Sequence, residues 1–308
     1  MAPFLGLRGN RLNLAALLGV MMPSIVSFGY NQSLLGGVLT LASFEQQFHE
    51  IDVTNASVAE KAQRSTIQGT IVALYAVGGL FGALSCIGFG DLLGRRRVIL
   101  VAAFMQMVGA ILMASAFGFI HLIIARLILG LGCGGLVATV TILQSEISSP
   151  QKRGAHVATT GLFAGLGTSL SLFLDLGMSF APGSVGWRFP FAFQMLFSIT
   201  IIGAISFMPE SPRWLIQQHR VTEAREILAA LEDVKPDDSK IDAEIEAIQL
   251  SLKLSGEGSL VQIFQMGPQR VFHRAMLAAS VMLFLQLTGI NVITFFSMFS
   301  ILPVNCTL

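Results

Sequence analysis

"RLILGLGCGG", residues 126–135, sets one arginine ahead of a run of glycines inside a long apolar stretch. A guanidinium in hydrocarbon costs about 2.5 kcal/mol or more, so it usually faces a watery cavity or a partner. Snorkelling of Arg126 to the surface is the competing reading. Gly130, Gly132 and Gly134 let a second helix pack at close range. Both features suit a helix inside a membrane bundle.

Composition agrees. Of 308 residues, 53% are hydrophobic and 12% charged, where soluble domains carry about 25% charged residues. Mean hydropathy is +0.71. A net charge of +1 gives no general attraction to nucleic acid. The three cysteines show no metal-ligand or disulfide spacing and read as small buried hydrophobes. No metal or cofactor is expected. Nor is an enzyme: no phosphate-cradling glycine loop precedes a lysine, and no nucleophile–base spacing stands out.

Seven stretches have the roughly 20 apolar residues that cross a bilayer: 12–41, 67–89, 98–117, 120–143, 156–178, 189–208 and 276–299. Basic residues orient them. With the N-terminus cytoplasmic, the inner side holds Arg8, Arg11, Arg95–Arg97, Lys152, Arg153 and the basic residues from Arg213 to Arg274. The outer side holds Lys61, Arg64 and, at a helix edge, Arg188. Residues 42–66 form an outer polar loop whose Asn55-Ala56-Ser57 is a glycosylation acceptor pattern. Residues 1–208 read as a six-span bundle, 209–270 as an inner helical domain and 271–308 as a seventh span. In the inner domain, 221–231 and 241–254 show helical apolar spacing on either side of "DVKPDDSK".

Polar residues within and beside the spans are the candidate machinery. Asn31, in "FGYNQSLLGG" (28–37), and Arg126 both lie on the order of 12–15 Å below the outer surface, at 1.5 Å per residue. That makes them plausible partners. Gln286 and Asn291 in "QLTGINVITFFS" (286–297), with Phe295 nearby, suit a polar solute or an interhelical hydrogen bond, because buried amides need partners. On the inner face, Asp91, Arg95 and Arg96 in "GDLLGRRR" (90–97), Glu146 and Arg153, and Glu210 and Arg213 in "PESPRWL" (209–215) form three acid–arginine groups. Together they suggest a latch; singly, each is an ordinary charged helix end or lipid anchor. Asp175 counts roughly 31 Å along its helix from Gly154, which puts it at the outer rim.

Taken in order, these motifs resemble the sugar-porter branch of the major facilitator superfamily, fungal in style. The resemblance runs from about Ala15 to Ser300. It implies an all-α membrane protein with an N-terminal six-helix bundle, a cytoplasmic helical linker and the first helix of a C-terminal bundle. It also implies a solute site near the midplane, between bundles that rock to alternate access. In proton-coupled members an aspartate resembling Asn31 in position pairs with the arginine matched by Arg126 and carries the proton. In passive animal glucose facilitators that position is asparagine. The resemblance therefore implies a carrier of a sugar or polyol by facilitated diffusion, with Asn31 keeping a hydrogen bond to Arg126. The sugar contacts depart from the pattern: Gly161 and Leu285 stand where the family has glutamines, and Phe295 and Phe296 where it has tyrosines. Leu92, Thr141 and Leu143 are further departures. The partners implied are a small solute and the lipid bilayer, in the plasma membrane in preference to the vacuole. With one span after the inner domain, the inventory reads as cut just past its middle. The tail "LPVNCTL" (302–308) matches no family continuation and reads as translated intron. A sugar-sensing protein and a non-functional fragment remain alternative readings.

Overall fold

The computed structural model describes residues 6–53, 57–148, 153–255, 270–289 and 294. Regular structure in these residues is helical throughout. Six helices are long and apolar enough to cross a membrane: α1 (Gly9–Val38), α2 (Val58–Leu93), α3 (Arg95–Ala114), α4 (Phe119–Ile147), α5 (Arg153–Met178) and α6 (Val185–Ile205).

Local chemistry sets their ends and irregularities. The second helix starts ahead of its expected apolar stretch because Ser57 and Glu60 form a reciprocal capping box. In α1 the turn Leu17–Met21 is widened just before Pro23. Proline lacks an N–H and crowds the carbonyl four residues back, and a wider turn relieves both. Helix α6 breaks at Gln194 into Val185–Phe193 and Met195–Ile205, with Pro190 inside the first part. The buried Tyr30 hydroxyl donates to the Pro190 carbonyl at 2.8 Å, which ties α1 to the break.

The helices pack by backbone approach. Helices α2 and α3 lie on α4, α1 lies on α5, and α6 lies on α3. At Gly134 a Cβ would strike the Gly79 carbonyl, at Gly130 the Tyr75 carbonyl, and at Gly132 the Gln106 backbone. The glycines of 130–135 thus serve two neighbours, α2 and α3. The α1–α5 seam works alike, with Gly29 on the Ala164 carbonyl and Gly167 on the Val26 carbonyl. Such contacts suit lipid, where helix association depends on close packing and not on expulsion of water.

At the end carrying Arg95–Arg97, three shorter helices form a layer: α7 (Pro212–Gln217), α8 (Val221–Glu232) and α9 (Ser239–Ser255). The second and third match the two apolar patterns of the sequence. Leu215, Ile227, Leu228 and Ile241 pack against Leu12, Ile99, Ile147 and Ile205 from the spans. Arg225 joins α8 to α9 through Asp242 at 2.6 Å. At the opposite end the short helix Ala42–Gln47 buries Phe44, which meets Phe48, Trp187 and Phe191 edge to face or tilted. A final helix, α10, covers Val271–Leu287; of the rest of the expected seventh span, residues 290–293 and 295–299 lie outside the described residues, as does Asn55.

Two outcomes are expected. Gly134→Ala forces α2 off α4 and costs about 1–3 kcal/mol, read as a lower unfolding temperature in detergent. Gly88→Ala, where a Cβ meets nothing within 4 Å, leaves that temperature unlowered. The second concerns Glu244 on α9, whose carboxyl is raised above the usual range by burial and then by Glu232. The folded chain therefore holds that proton more tightly than the unfolded chain does. Its stabilising contribution is lost as pH rises through the window just above the ordinary glutamate value. Amides of α8 and α9 should be better protected from hydrogen exchange at mildly acidic than at neutral pH, and Glu244→Gln should remove that difference.

Candidate functional site

Two polar constellations occupy the bundle, one among the spans and one at the basic end. In the first, Asn31 is 1% exposed on α1 and Arg126 1% exposed on α4. The Asn31 amide donates from Nδ2 to the Ser27 carbonyl at 2.9 Å. The Ser27 hydroxyl accepts from Gln106 Nε2 on α3. Three atoms are buried with no hydrogen-bond partner: Asn31 Oδ1, Arg126 Nε and Arg126 Nη2. The Tyr75 hydroxyl of α2 interacts electrostatically with Arg126 and bonds Cys133 Sγ of α4 at 2.9 Å.

The expected Asn31–Arg126 hydrogen bond is therefore not made in this structure. The amide's N–H end turns back onto its own helix, where the Ser27 carbonyl is one turn away, and this fixes the orientation of the amide while its oxygen stays unused. Arg126 does not snorkel; it is fully enclosed. The arrangement leaves an acceptor and two charge-bearing donors buried and open, a costly state unless a mobile or bound group completes it.

The second constellation brings together most of the expected latch. Arg95 is its hub: Nη1 donates to Asp91 Oδ1 at 3.0 Å and to the Gly90 carbonyl at 3.0 Å, and Nε donates to Glu146 Oε2 at 3.3 Å. Among the described residues Glu210 makes no ion pair with an arginine side chain. It accepts the backbone N–H of Arg96 at 3.1 and 3.2 Å, at the start of α3, and that of Ser211 at 3.0 Å. A carboxylate at a helix N-terminus meets both free N–H groups and the positive end of the helix dipole. Gly94 makes this possible. Its φ of +84° suits glycine, and a Cβ there would stand 2.7 Å from Glu210 Oε2. The Arg96 guanidinium reaches the Ser206 carbonyl of α6. Trp214 Nε1 donates to the Asp91 carbonyl at 2.8 Å, and Gln218 donates to the same oxygen at 3.2 Å.

The remaining expected residues either stand apart from both groups or lie outside the described residues. Arg213 is exposed and makes no ion pair among the described residues. Arg153 opens α5, with a side chain outside the described residues. Gln286 lies exposed on α10, and Asn291 and Phe295 are outside the described residues. Sequence reasoning missed Gln106, Tyr75, Gln194, Trp214 and Gln218. The signal for Gln106 and Gln194 was present, since each is an amide inside an apolar span, as Asn31 is. Nothing in the sequence marks a carbonyl such as that of Asp91 as a docking point.

Among known proteins, the family described as "Sugar (and other) transporter" matches residues 16–299. The sugar transporter STL1 of Saccharomyces cerevisiae is 31% identical over 95% of this chain and 52% of its own length. The MFS-type transporter oryC of Aspergillus oryzae is 32% identical over 96% of this chain and 54% of its own. The chain thus spans about half the length of these curated relatives. In fold it is similar to the proton:xylose symporter XylE of E. coli bound to 6-bromo-6-deoxy-D-glucose, with a TM-score of 0.76 at 21% identity, covering 92% of this chain and 61% of that one.

The Arg95 cluster generates a graded expectation. Arg95 and Glu146 are 13% and 11% exposed in their side chains, Asp91 59%. Removing one partner of a buried pair costs about 3–5 kcal/mol, whereas an exposed pair is worth about 0–1 kcal/mol. Arg95→Gln should therefore lower the unfolding temperature far more than Asp91→Asn, with Glu146→Gln between them. Equal effects from all three would contradict the hub role.

Proposed function

The chain belongs to the sugar (and other) transporter family, and on that premise we propose that it works in a multi-pass carrier moving a sugar or related polar solute by alternating access. Residues 1–208 supply one six-span bundle, 209–270 a cytoplasmic helical layer, and 271–308 the first helix of a second bundle. Excess basic residues put the Arg95–Arg97 end in the cytoplasm. The plasma membrane is its proposed site.

One observation carries the finer reading: Asn31 and Arg126 are both buried, and Asn31 Oδ1, Arg126 Nε and Arg126 Nη2 have no hydrogen-bond partner. An amide can neither take up nor release a proton. Where a carboxylate would switch charge during the cycle, Asn31 offers Arg126 a constant acceptor in a second state of the bundle. The transport proposed is facilitated diffusion. In this structure Arg126 is held ready and Asn31 is parked on Ser27. The latch around Arg95 and Glu210 clamps the cytoplasmic ends in one state and releases them in the other.

The solute proposed is a sugar or polyol that asks for fewer hydrogen bonds than a hexose in an amide-rich site. Gly161 faces open space, and Leu285 contributes no polar group. Relatives include a galactose transporter and low-affinity glucose transporters of Saccharomyces cerevisiae, and a sugar cargo fits that company. Gln286, Asn291 and Phe295 are proposed to face the solute along with Asn31.

The test is uptake of labelled hexoses, pentoses and polyols by yeast lacking its own carriers and expressing the full transcript. The expected result is equilibrating uptake of at least one solute, insensitive to a protonophore, with no alkalinisation of the medium. Asn31→Asp should make uptake protonophore-sensitive. Stoichiometric proton entry with the native chain would sink the facilitated-diffusion reading, and saturable binding without flux would favour a sensor.

A further inference from the structure

The α1–α5 seam ends on a carboxyl group that the proposed mechanism leaves unused. On α1, Gly29, Ser33 and Gly37 recur at four-residue spacing and share a face. Opposite them on α5 stand Ala164, Thr168, Ser171 and Asp175. Most of the seam is satisfied. Ser33 Oγ donates to the Thr168 carbonyl at 3.3 Å, and Thr168 Oγ1 to the Gly29 carbonyl at 3.2 Å. At the last step a Cβ on Gly37 would lie 2.6 Å from Asp175 Cβ, so the absent side chain makes room for the carboxyl. Asp175 is 2% exposed. Helix length alone had put it at the outer rim; the structure turns its side chain into the seam.

There the carboxyl is poorly served. Oδ2 accepts one long hydrogen bond from Ser171 at 3.4 Å, and Oδ1 has no partner. Among the described residues no ion pair includes Asp175. The titratable group that interacts with it is Tyr30 of α1, whose hydroxyl is engaged by Pro190. Arg11 of α1 lies near the other end of that helix. On α4, Arg126 interacts with Tyr75, and His121 forms no ion pair. On α6, Arg188 stacks over Trp187 and Phe117 and donates to the Ala114 carbonyl. A lone negative charge enclosed by two helices costs several kcal/mol even after relaxation. A proton cancels that charge and supplies a donor.

We propose that Asp175 is a proton-binding site that fastens α5 to α1, so that loss of its proton loosens the seam and slows transport. The proton comes from water at the Phe44 end of the bundle. One O–H bond forms on binding and breaks on release, with no other reactant. The site lies inside a single bundle, on the α1–α5 seam, so it tunes the rate and does not couple a proton to each solute. The transport readout rests on the carrier reading; the spectroscopic readout does not.

The experiment uses the full chain, purified and taken from acidic to alkaline buffer in an infrared difference measurement. A carbonyl band of a protonated carboxylic acid is expected to vanish in Asp175→Asn and to shift in Ser171→Ala. In cells, native uptake should fall as external pH rises, and Asp175→Asn should lose that dependence. The absence of any band depending on Asp175 overturns the proposal, as does an unchanged pH profile in Asp175→Asn. Sodium displacing the band at fixed pH overturns it in favour of a cation site. If Asp175→Asn does not fold, the Ser171→Ala shift decides. A band without solute flux upholds the proton site while the carrier reading falls.

Discussion

A charged guanidinium enclosed among apolar helices is the constraint on which the rest of this structure depends. Arg126 is 1% exposed, and two of its nitrogens have no hydrogen-bond partner. Such a group is tolerated only where the surrounding packing holds it in place and where something polar can reach it. The glycines that follow Arg126 supply the first condition by drawing α2 and α3 onto α4 at backbone contact. The amides and hydroxyls of Asn31, Ser27, Gln106 and Tyr75 bring the second within the same bundle. A core built for stability alone would not leave an acceptor and two donors unused in so dry a place.

The basic end obeys a different logic. Arg95 pairs with Asp91 and Glu146, and the other contacts at this end depend as much on backbone as on side chains. Glu210 binds the N-terminus of α3, and Trp214 and Gln218 bind the carbonyl of Asp91 near the end of α2. These contacts tie the α2–α3 turn to the layer of short helices. A pocket of about 500 Å³ lined by Arg96, Arg97, Arg220, Glu223 and Glu226 lies beside this junction. The exposed Arg95–Asp91 contact is individually modest, while the buried Arg95–Glu146 pair is the costly one to break.

Much of the fold was legible because hydrocarbon imposes a strict length and composition on each span. The break in α6 was less so. Pro190 is visible in the sequence, but the break falls at Gln194, where Tyr30 from a distant helix holds the Pro190 carbonyl. The site was half legible. Asn31 and Arg126 stand out as polar residues in apolar runs, and their matched depth comes from the helical rise. Their failure to bond does not, because a one-turn reach from Asn31 to Ser27 competes locally and leaves no mark in composition. Glu210 was expected beside an arginine side chain and instead meets backbone N–H groups, since sequence shows charged side chains and hides the N–H groups of a helix end. Asp175 shows the same limit: counting residues fixes its height along α5 and says nothing of the direction it faces.

The central claim is that the open donors of Arg126 are the moving contact, taken up by Asn31 in one state of the bundle and free in the other. The most direct measurement is nitrogen-15 magnetic resonance of arginine Nε groups in the full-length protein, with Arg126 assigned by substitution. The account predicts two Arg126 signals whose ratio changes when a transported solute is added, and which collapse to one in Asn31→Leu. A single Arg126 signal, unmoved by saturating solute and by loss of the amide, would contradict it.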